Sequence, residues 1–129
     1  MSNGMPKHGV FCWNELMTWD AARATEFYTE LLGWKAEDSG MPGMKYTILK
    51  AGDTQAGGLM AMPPNVPKEV PSHWMAYIAV DDIDACAKRV GELGGEVFHG
   101  PQDIPNLGRF CILKDPTGAV VSLMEFVKK

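Results

Sequence analysis

The stretch that decides the fold is Cys111-Ile112-Leu113-Lys114-Asp115-Pro116-Thr117-Gly118. Pro116 presets one backbone φ angle and Gly118 adopts any, so Asp115–Gly118 predicts a tight turn. Apolar and branched residues lie on both sides of it. We therefore predict strands near Phe110–Lys114 and Val120–Phe126, with the turn leading into the final strand.

The same pattern occurs once more, earlier in the chain. Thr47–Lys50 (TILK) resembles Cys111–Lys114 (CILK) at an offset of 64 residues, and Leu59-Met60 falls on Leu123-Met124 at the same offset. Self-similarity of this kind, with loops of slightly different length, indicates an internal repeat.

Each half of the chain predicts the same order of elements. The first half gives a strand, a helix that begins at Asp20 and ends at Gly33, and two strands; the second half gives a strand, a helix and three strands. The predicted spans are strand Val10–Met17, helix 20–33 and strands near Tyr46–Lys50 and Gly57–Met62, then strand His73–Val80, helix 81–94, a strand near Glu96–Phe98 and the two strands named above. Gly100-Pro101 and Ile104–Gly108 predict a further loop.

These elements predict two modules, residues 9–62 and 73–127, within a single domain of residues 1–129. Residues 63–72 join the modules, and their prolines exclude a helix and predict an extended connector. A half of about 60 residues cannot bury its apolar face alone, so we expect the modules to need each other or a second copy.

Composition and charge exclude several classes of protein. The chain has 129 residues, a formal net charge of −4 and no basic run beyond Lys128-Lys129, which argues against nucleic acid or an anionic membrane as partner. No apolar run approaches the 18 or so residues of a membrane helix, and residues 1–8 hold no signal core, so we expect a cytoplasmic protein. The three cysteines lack CxxC spacing and predict reduced thiols.

The nine methionines and four tryptophans are the unusual part of the composition. Methionine is flexible and polarizable, and tryptophan supplies a large flat apolar surface. Such side chains suit a pocket for aromatic or lipophilic molecules, although a methionine-rich core explains them equally well.

The sequence resembles the vicinal oxygen chelate superfamily, which includes glyoxalases, bleomycin-resistance proteins and extradiol dioxygenases. The resemblance runs from about Gly9 to Phe126, and Asp115–Gly118 matches the superfamily's DPxG turn. Trp13–Leu16 and Gly108–Phe110 resemble an uncharacterised glyoxalase-like branch. The resemblance implies an α+β fold in which two βαβββ modules form a curved mixed sheet around a cavity.

In metal-using members of that superfamily, the first and last strands of each module supply four ligands, usually His, Gln or Glu. Alignment on Asp20 and Asp81, and on the DPxG turn, assigns those positions to Trp13, Met75, Gly58 and Ser122. None is a good ligand for a divalent ion, and a slip of one residue offers no better one. We therefore predict no metal and no cofactor. A metal-dependent glyoxalase or dioxygenase with non-standard ligands is the alternative.

Glu15 is the leading candidate for chemistry. Strand alternation places it on the face of Trp13, where desolvation is expected to raise its pKa and suit it to general acid–base work. It could instead pair with Arg109 or Lys50, or lie at a solvated rim. His73 shares a face with Met75 and could assist Glu15, or it could be an ordinary surface histidine.

The remaining candidates are side chains for ligand binding. Arg109 could hold a ligand carboxylate or pair with Asp103 or Asp115. Ser122 could donate a hydrogen bond to a ligand or simply make room for one. The full predicted set is Trp13, Gly58, Met60, Met75, Tyr77, Arg109, Ser122 and Met124.

The leading hypothesis is a metal-independent cavity that binds a small, aromatic or lipophilic organic molecule. The resemblance to the bleomycin-resistance branch implies a homodimer. One alternative is a metal-free lyase, isomerase or hydrolase with Glu15 as general base. Another is a protein that uses the fold only for association.

Overall fold

The computed structural model describes residues 6–41, 43 and 45–127. Residues 1–5 and 128–129, which bear on the predictions about the N-terminus and the terminal lysines, lie outside the described residues. The elements follow in the order β1 (Phe11–Thr18), α1 (Ala21–Leu32), β2 (Lys35–Asp38), β3 (Thr47–Ala51), β4 (Thr54–Ala61), β5 (His73–Ala79), α2 (Ile83–Glu92), β6 (Glu96–Ile104), β7 (Gly108–Lys114) and β8 (Val120–Phe126). This order is βαβββ twice over, which confirms the predicted α+β class and the two modules.

The chain divides into two compact units, one made of residues 13–75 and the other of the chain before Trp13 together with the chain from Ala76 onward. The first unit has the strand order β2-β3-β4-β1, in which β1 and β4 are parallel and the other pairs antiparallel. The second has the order β5-β8-β7-β6, with β5 and β8 parallel and the other pairs antiparallel. The repeat read from the sequence is therefore also a repeat of strand order.

Helix α1 begins and ends where predicted. The Asp20 carboxylate accepts the Arg23 N–H at 3.0 Å, and Gly33 ends the helix at a φ of 72°, in the left-handed region that glycine adopts without strain. Tyr28 and Ala24 pack on the buried residues Leu16, Leu49 and Leu59. The apolar side chains of α1 are only partly buried, since Phe27, Leu31 and Leu32 are 56%, 62% and 51% exposed.

Helix α2 is capped one residue later than the alignment on Asp81 assumes. The Asp82 carboxylate accepts the Ala85 N–H at 3.1 Å, while the Asp81 backbone N–H donates to His8 Nδ1 at 2.9 Å. Asp20 is therefore equivalent to Asp82, at the same spacing of 62 residues that separates Trp13 from Met75. The equivalence of Trp13 and Met75 stands, and α2 packs through Ile83 on the core of Val80, Cys111, Leu113 and Leu123.

The DPxG turn is confirmed in detail. Asp115 Oδ1 accepts the backbone N–H and hydroxyl of Thr117 at 2.8 and 2.7 Å and the Ala119 N–H at 3.1 Å. These bonds, led by that from the Thr117 hydroxyl, lower the pKa of Asp115. Gly118 has a φ of 98°, which explains the glycine.

Two predictions about local structure are wrong, and one strand was not predicted. Strand β2 was not predicted, because its four exposed residues lack an apolar alternation. Strand β6 continues to Ile104 rather than ending at Phe98, since irregularities in its pairing with β7 accommodate the Gly100-Pro101 segment. The connector is not extended throughout, because Val66 N–H and Val70 N–H close turns on the carbonyls of Pro63 and Pro67. Among the described residues, no helix has the length and apolar character needed to cross a membrane.

Candidate functional site

One face of the first module, on the side away from α1, gathers the predicted residues. Glu15 lies opposite Gly58 in the β1–β4 pair, and Ile48 lies opposite Gly58 in the β3–β4 pair. Side chains two residues apart on a strand share a face. The first-module face therefore consists of Trp13, Glu15, Met17, Tyr46, Ile48, Gly58 and Met60.

A chain of hydrogen bonds crosses this face from Trp13 to Glu15. The Trp13 indole N–H donates to the Tyr46 hydroxyl oxygen at 2.7 Å, and the Tyr46 hydroxyl donates to the Glu15 carboxylate. Glu15 and Tyr46 are 5% and 8% exposed. Burial and the negative charge of Glu15 raise the pKa of Tyr46, so its hydroxyl keeps its proton and remains a donor.

Gly58 is a glycine because of the space that Tyr46 takes. A Cβ atom at position 58 would collide with the hydroxyl and ring of Tyr46. The backbone of Gly58 is not in the left-handed region, so its conformation does not call for glycine. The tyrosine thus fills the space that a side chain at position 58 would occupy.

The second-module face repeats this arrangement with different chemistry. Tyr77 and Ile112 both lie opposite Ser122, and Phe110 lies opposite Met124. With Met75, these residues make up the second-module face. Ser122 is fully buried, and its hydroxyl has no hydrogen-bond partner in the part of the chain that the structure describes. At the repeat spacing, Phe110 replaces Tyr46, Tyr77 replaces Glu15 and Ser122 replaces Gly58.

Arg109 lies on the other face of β7, one residue from Phe110. Its guanidinium pairs with Asp84 at 2.8 Å and Asp103 at 2.9 Å. The structure therefore does not bring Arg109 together with Ser122. Pairing with Asp103 was one of its predicted alternatives, whereas the Asp115 carboxylate is used inside the DPxG turn.

The other ionic candidates have partners nearby. Lys50, one predicted partner of Glu15, pairs with Glu37 at 3.1 Å. His73 opens β5 with its Nδ1 2.8 Å from the Pro71 carbonyl oxygen, and alternation puts its side chain on the side of Met75. The predicted pairing of Glu15 with Lys50 is therefore replaced by a pairing of Lys50 with Glu37, while Tyr46 hydrogen-bonds to Glu15.

The four residues that the family resemblance assigns to ligand positions do not fit a divalent metal ion. Trp13 offers only an N–H donor, Gly58 has no side chain, and Met75 and Ser122 supply neither imidazole nor carboxylate. Within the described ranges, His, Cys, Asp and Glu side chains form no group of three or more that could hold a metal.

Two grooves lie beside the helices rather than on these faces. A groove of about 620 Å³ runs between α2 and β6 and includes Asp84, Lys88 and Val97. A second, of about 400 Å³, lies between α1 and β2–β4, and Met60 contributes to its lining. Neither is lined by Glu15 or Ser122, so the faces, with their buried polar groups, are the better candidates for function.

The model of the Glyoxalase/Bleomycin resistance protein/Dioxygenase superfamily matches residues 11–123. The chain belongs to this superfamily. It is 42% identical over 118 residues to "Putative glyoxylase CFP32" of Mycobacterium tuberculosis, and 33% identical over 127 residues to "Anthracycline biosynthesis protein DnrV" of Streptomyces peucetius. These matches cover 91% and 89% of this superfamily member but 44% and 46% of the relatives, so the chain spans less than half their length.

Solved structures share the fold of this superfamily member at low sequence identity. Methylmalonyl-CoA epimerase from Mycobacterium tuberculosis has a TM-score of 0.61 at 17% identity, covering 98% of this chain and 95% of that one. The hypothetical protein BH1468 from Bacillus halodurans has a TM-score of 0.66 at 16% identity, covering 95% and 98%. At such identities the likeness establishes the fold.

Tyr46 is the residue that sequence reasoning missed. It was read only as the start of a strand. The repeat carried a signal, because the offset of 64 places Tyr46 on Phe110 and marks a hydroxyl that the second module lacks. Its position over Gly58 depends on the pairing of β3 with β4, which no sequence pattern reveals.

Proposed function

We propose that the chain binds a small aromatic or lipophilic organic molecule and that it needs no metal to do so. The supporting observation is the composition of the first-module face, where Trp13, Met17 and Met60 share one side of the sheet with the buried pair Glu15 and Tyr46. Small-molecule sites are typically apolar surfaces with a few well-placed polar groups that orient the ligand.

The unpartnered hydroxyl of Ser122 supports the same proposal. A buried hydroxyl without a hydrogen bond costs about 1–3 kcal/mol, so such groups usually have a functional reason. On the second-module face, Ser122 lies among Tyr77, Ile112 and Phe110, where the hydroxyl can bond to a polar atom of a ligand.

The name of one relative suggests a probe. DnrV is named for the biosynthesis of anthracyclines, which are planar polycyclic aromatic molecules of the kind that tryptophan and methionine accommodate. The printed name alone motivates the choice of an anthracycline as probe, and this chain spans less than half of that relative.

Calorimetric titration with an anthracycline tests the proposal. We expect saturable binding that is unchanged after EDTA treatment. Elemental mass spectrometry of protein that has been incubated with zinc, nickel, manganese or iron and then desalted should find less than a tenth of an equivalent of metal. Trp13→Leu should weaken binding about tenfold. Trp19→Leu, which changes a 42% exposed tryptophan outside both faces, is the matched control. Binding that requires one of these metals, or an affinity of Trp13→Leu equal to that of the parent protein, would contradict the proposal.

A second candidate function is metal-free acid–base catalysis by Glu15. It is favoured by the burial of this carboxylate beside a donor that holds it in one position. Incubation with a panel of ketones and thioesters in D₂O, followed by NMR, tests it. We expect the parent protein to exchange the proton next to a carbonyl group and Glu15→Gln to lose exchange at least a hundredfold. Glu37→Gln, at an exposed acid, should behave like the parent. Exchange that survives in Glu15→Gln would disprove the role of base.

A further inference from the structure

The hydrogen bonds on the first-module face can run in one direction only. An indole N–H is a donor and never an acceptor, so the Tyr46 oxygen must accept from Trp13 at 2.7 Å. The hydroxyl proton of Tyr46 is then directed to another acceptor, and the Glu15 carboxylate accepts it. Trp13 therefore sets the orientation of the Tyr46 hydroxyl, whose proton is directed to the Glu15 carboxylate.

The fold itself does not require this chain. The second module builds the same strand order with Phe110 in place of Tyr46 and Tyr77 in place of Glu15. Packing is thus achieved without a hydroxyl at the position of Tyr46 and without a carboxylate at the position of Glu15. Burying both groups in the first module costs free energy that no requirement of the repeat explains.

Tyr46 is a hydrogen-bond partner that the first-module face supplies to Glu15. On the same side of β2 and β3, Glu37 and Lys50 pair with each other, and Lys35 lies opposite Lys50. Gly58 removes the side chain that would push the phenol away. A glycine, a phenol and an indole are thereby combined around one carboxylate.

We propose that Tyr46 is a positioning residue that takes over, in this chain, the space of a metal ligand and holds the Glu15 carboxylate in the orientation in which it meets the bound molecule. The proposal deepens the proposed binding function and rests on it for the role of Glu15. Tyr46, which accepts a hydrogen bond from Trp13, thus contributes to the orientation of the Glu15 carboxylate.

The direct test is a double-substitution cycle read by NMR without ligand. The signal is the indole Hε1 proton of Trp13, which is sensitive to its hydrogen bond. We expect Tyr46→Phe to move this signal upfield by about 1 ppm, as loss of a hydrogen bond does. We also expect Glu15→Gln to shift the Trp13 Hε1 signal when Tyr46 is present. In the Tyr46→Phe background the same substitution should shift this signal by less than a third as much, because its influence passes through the Tyr46 hydroxyl.

Tyr28→Phe is the matched control. The Tyr28 hydroxyl also accepts from an indole, that of Trp74 at 3.1 Å. Its removal should shift the Trp74 signal and leave that of Trp13 in place. Gly58→Ala is a second variant, which leaves Tyr46 and Glu15 chemically intact but places a methyl group where the Tyr46 hydroxyl lies. In this background Glu15→Gln should no longer shift the Trp13 Hε1 signal, as in Tyr46→Phe.

An unchanged Trp13 signal in Tyr46→Phe, or an effect of Glu15→Gln that persists fully in that background, overturns the proposal. Because no ligand is present, this outcome is separate from a failure of the proposed binding function. If the cycle succeeds, anthracycline titration of Tyr46→Phe should show affinity reduced by a similar factor to that in Glu15→Gln.

Discussion

Gly58 and Ser122 occupy equivalent places in the two modules and show two uses of the same space. At position 58 the Tyr46 side chain fills the space next to the backbone, whereas at position 122 the serine's own buried hydroxyl fills it. Sequence reasoning selected both positions, through the repeat and the family resemblance. It did not find the reason for either, because that reason is a neighbour on an adjacent strand.

This difference predicts opposite effects of alanine at the two positions. Gly58→Ala should lower the free energy of unfolding by about 1–3 kcal/mol, since the added methyl must displace a packed phenol. Ser122→Ala should leave it unchanged or raise it by up to about 1 kcal/mol, since it removes a buried hydroxyl that has no protein partner among the described residues.

Urea unfolding followed by circular dichroism measures both values. A Gly58→Ala protein as stable as the parent would show that Tyr46 is free to move aside. A loss of more than about 1 kcal/mol in Ser122→Ala would show that its hydroxyl is bonded in the folded protein.

At the scale of the elements, both helices begin at an aspartate N-cap. The sequence identifies that aspartate without ambiguity before α1 but offers two candidates before α2. Asp20 stands alone before α1, whereas Asp81 and Asp82 both precede α2. The structure selects Asp82, whose carboxylate accepts the Ala85 N–H. A second N–H group at the start of α2, that of Ile83, donates to the Glu125 carboxylate on β8 at 2.9 Å. This acceptor is distant in sequence.

Alanine at these two adjacent aspartates should therefore have unequal effects. Asp82→Ala should lower the free energy of unfolding by about 1 kcal/mol, because a backbone N–H at the helix start loses its acceptor. Asp81→Ala should change it by less than about 0.5 kcal/mol, since Asp81 bonds to His8 through its backbone N–H. Thermal or urea unfolding of the two variants measures the difference, and equal losses would contradict the assigned cap.

The strands show where local patterns fail. Strand β2 has four exposed residues and no apolar alternation, so it owes its conformation to pairing with β3. Strand β6 continues through Gly100-Pro101 because irregular pairing with β7 accommodates a segment that sequence rules assign to a loop. In both cases the partner strand outweighs the propensity of the segment.

At the scale of the molecule, the family places this chain among proteins of varied length and function. Its curated relatives are more than twice as long as the segment they share with it. We predict that the chain forms a homodimer, as its resemblance to the bleomycin-resistance branch implies.

Light scattering coupled to size-exclusion chromatography tests this prediction. We expect a mass of twice 14.1 kDa, independent of concentration over the micromolar range. A constant mass of 14.1 kDa would contradict it. Gly58→Ala and Ser122→Ala should keep the mass of the parent if they act only within their own modules.

The amino-acid sequence alone was enough for the class of fold, both helices, the DPxG turn and the face on which Glu15 lies. These features depend on periodicity, capping and turn chemistry, which act over a few residues. The hydrogen-bond chain from Trp13 through Tyr46 to Glu15, the need for glycine at position 58 and the ion pairs of Arg109 emerged only from the folded chain. Each of them joins residues on different strands or helices, and strand pairing brings them together at distances that no local pattern encodes.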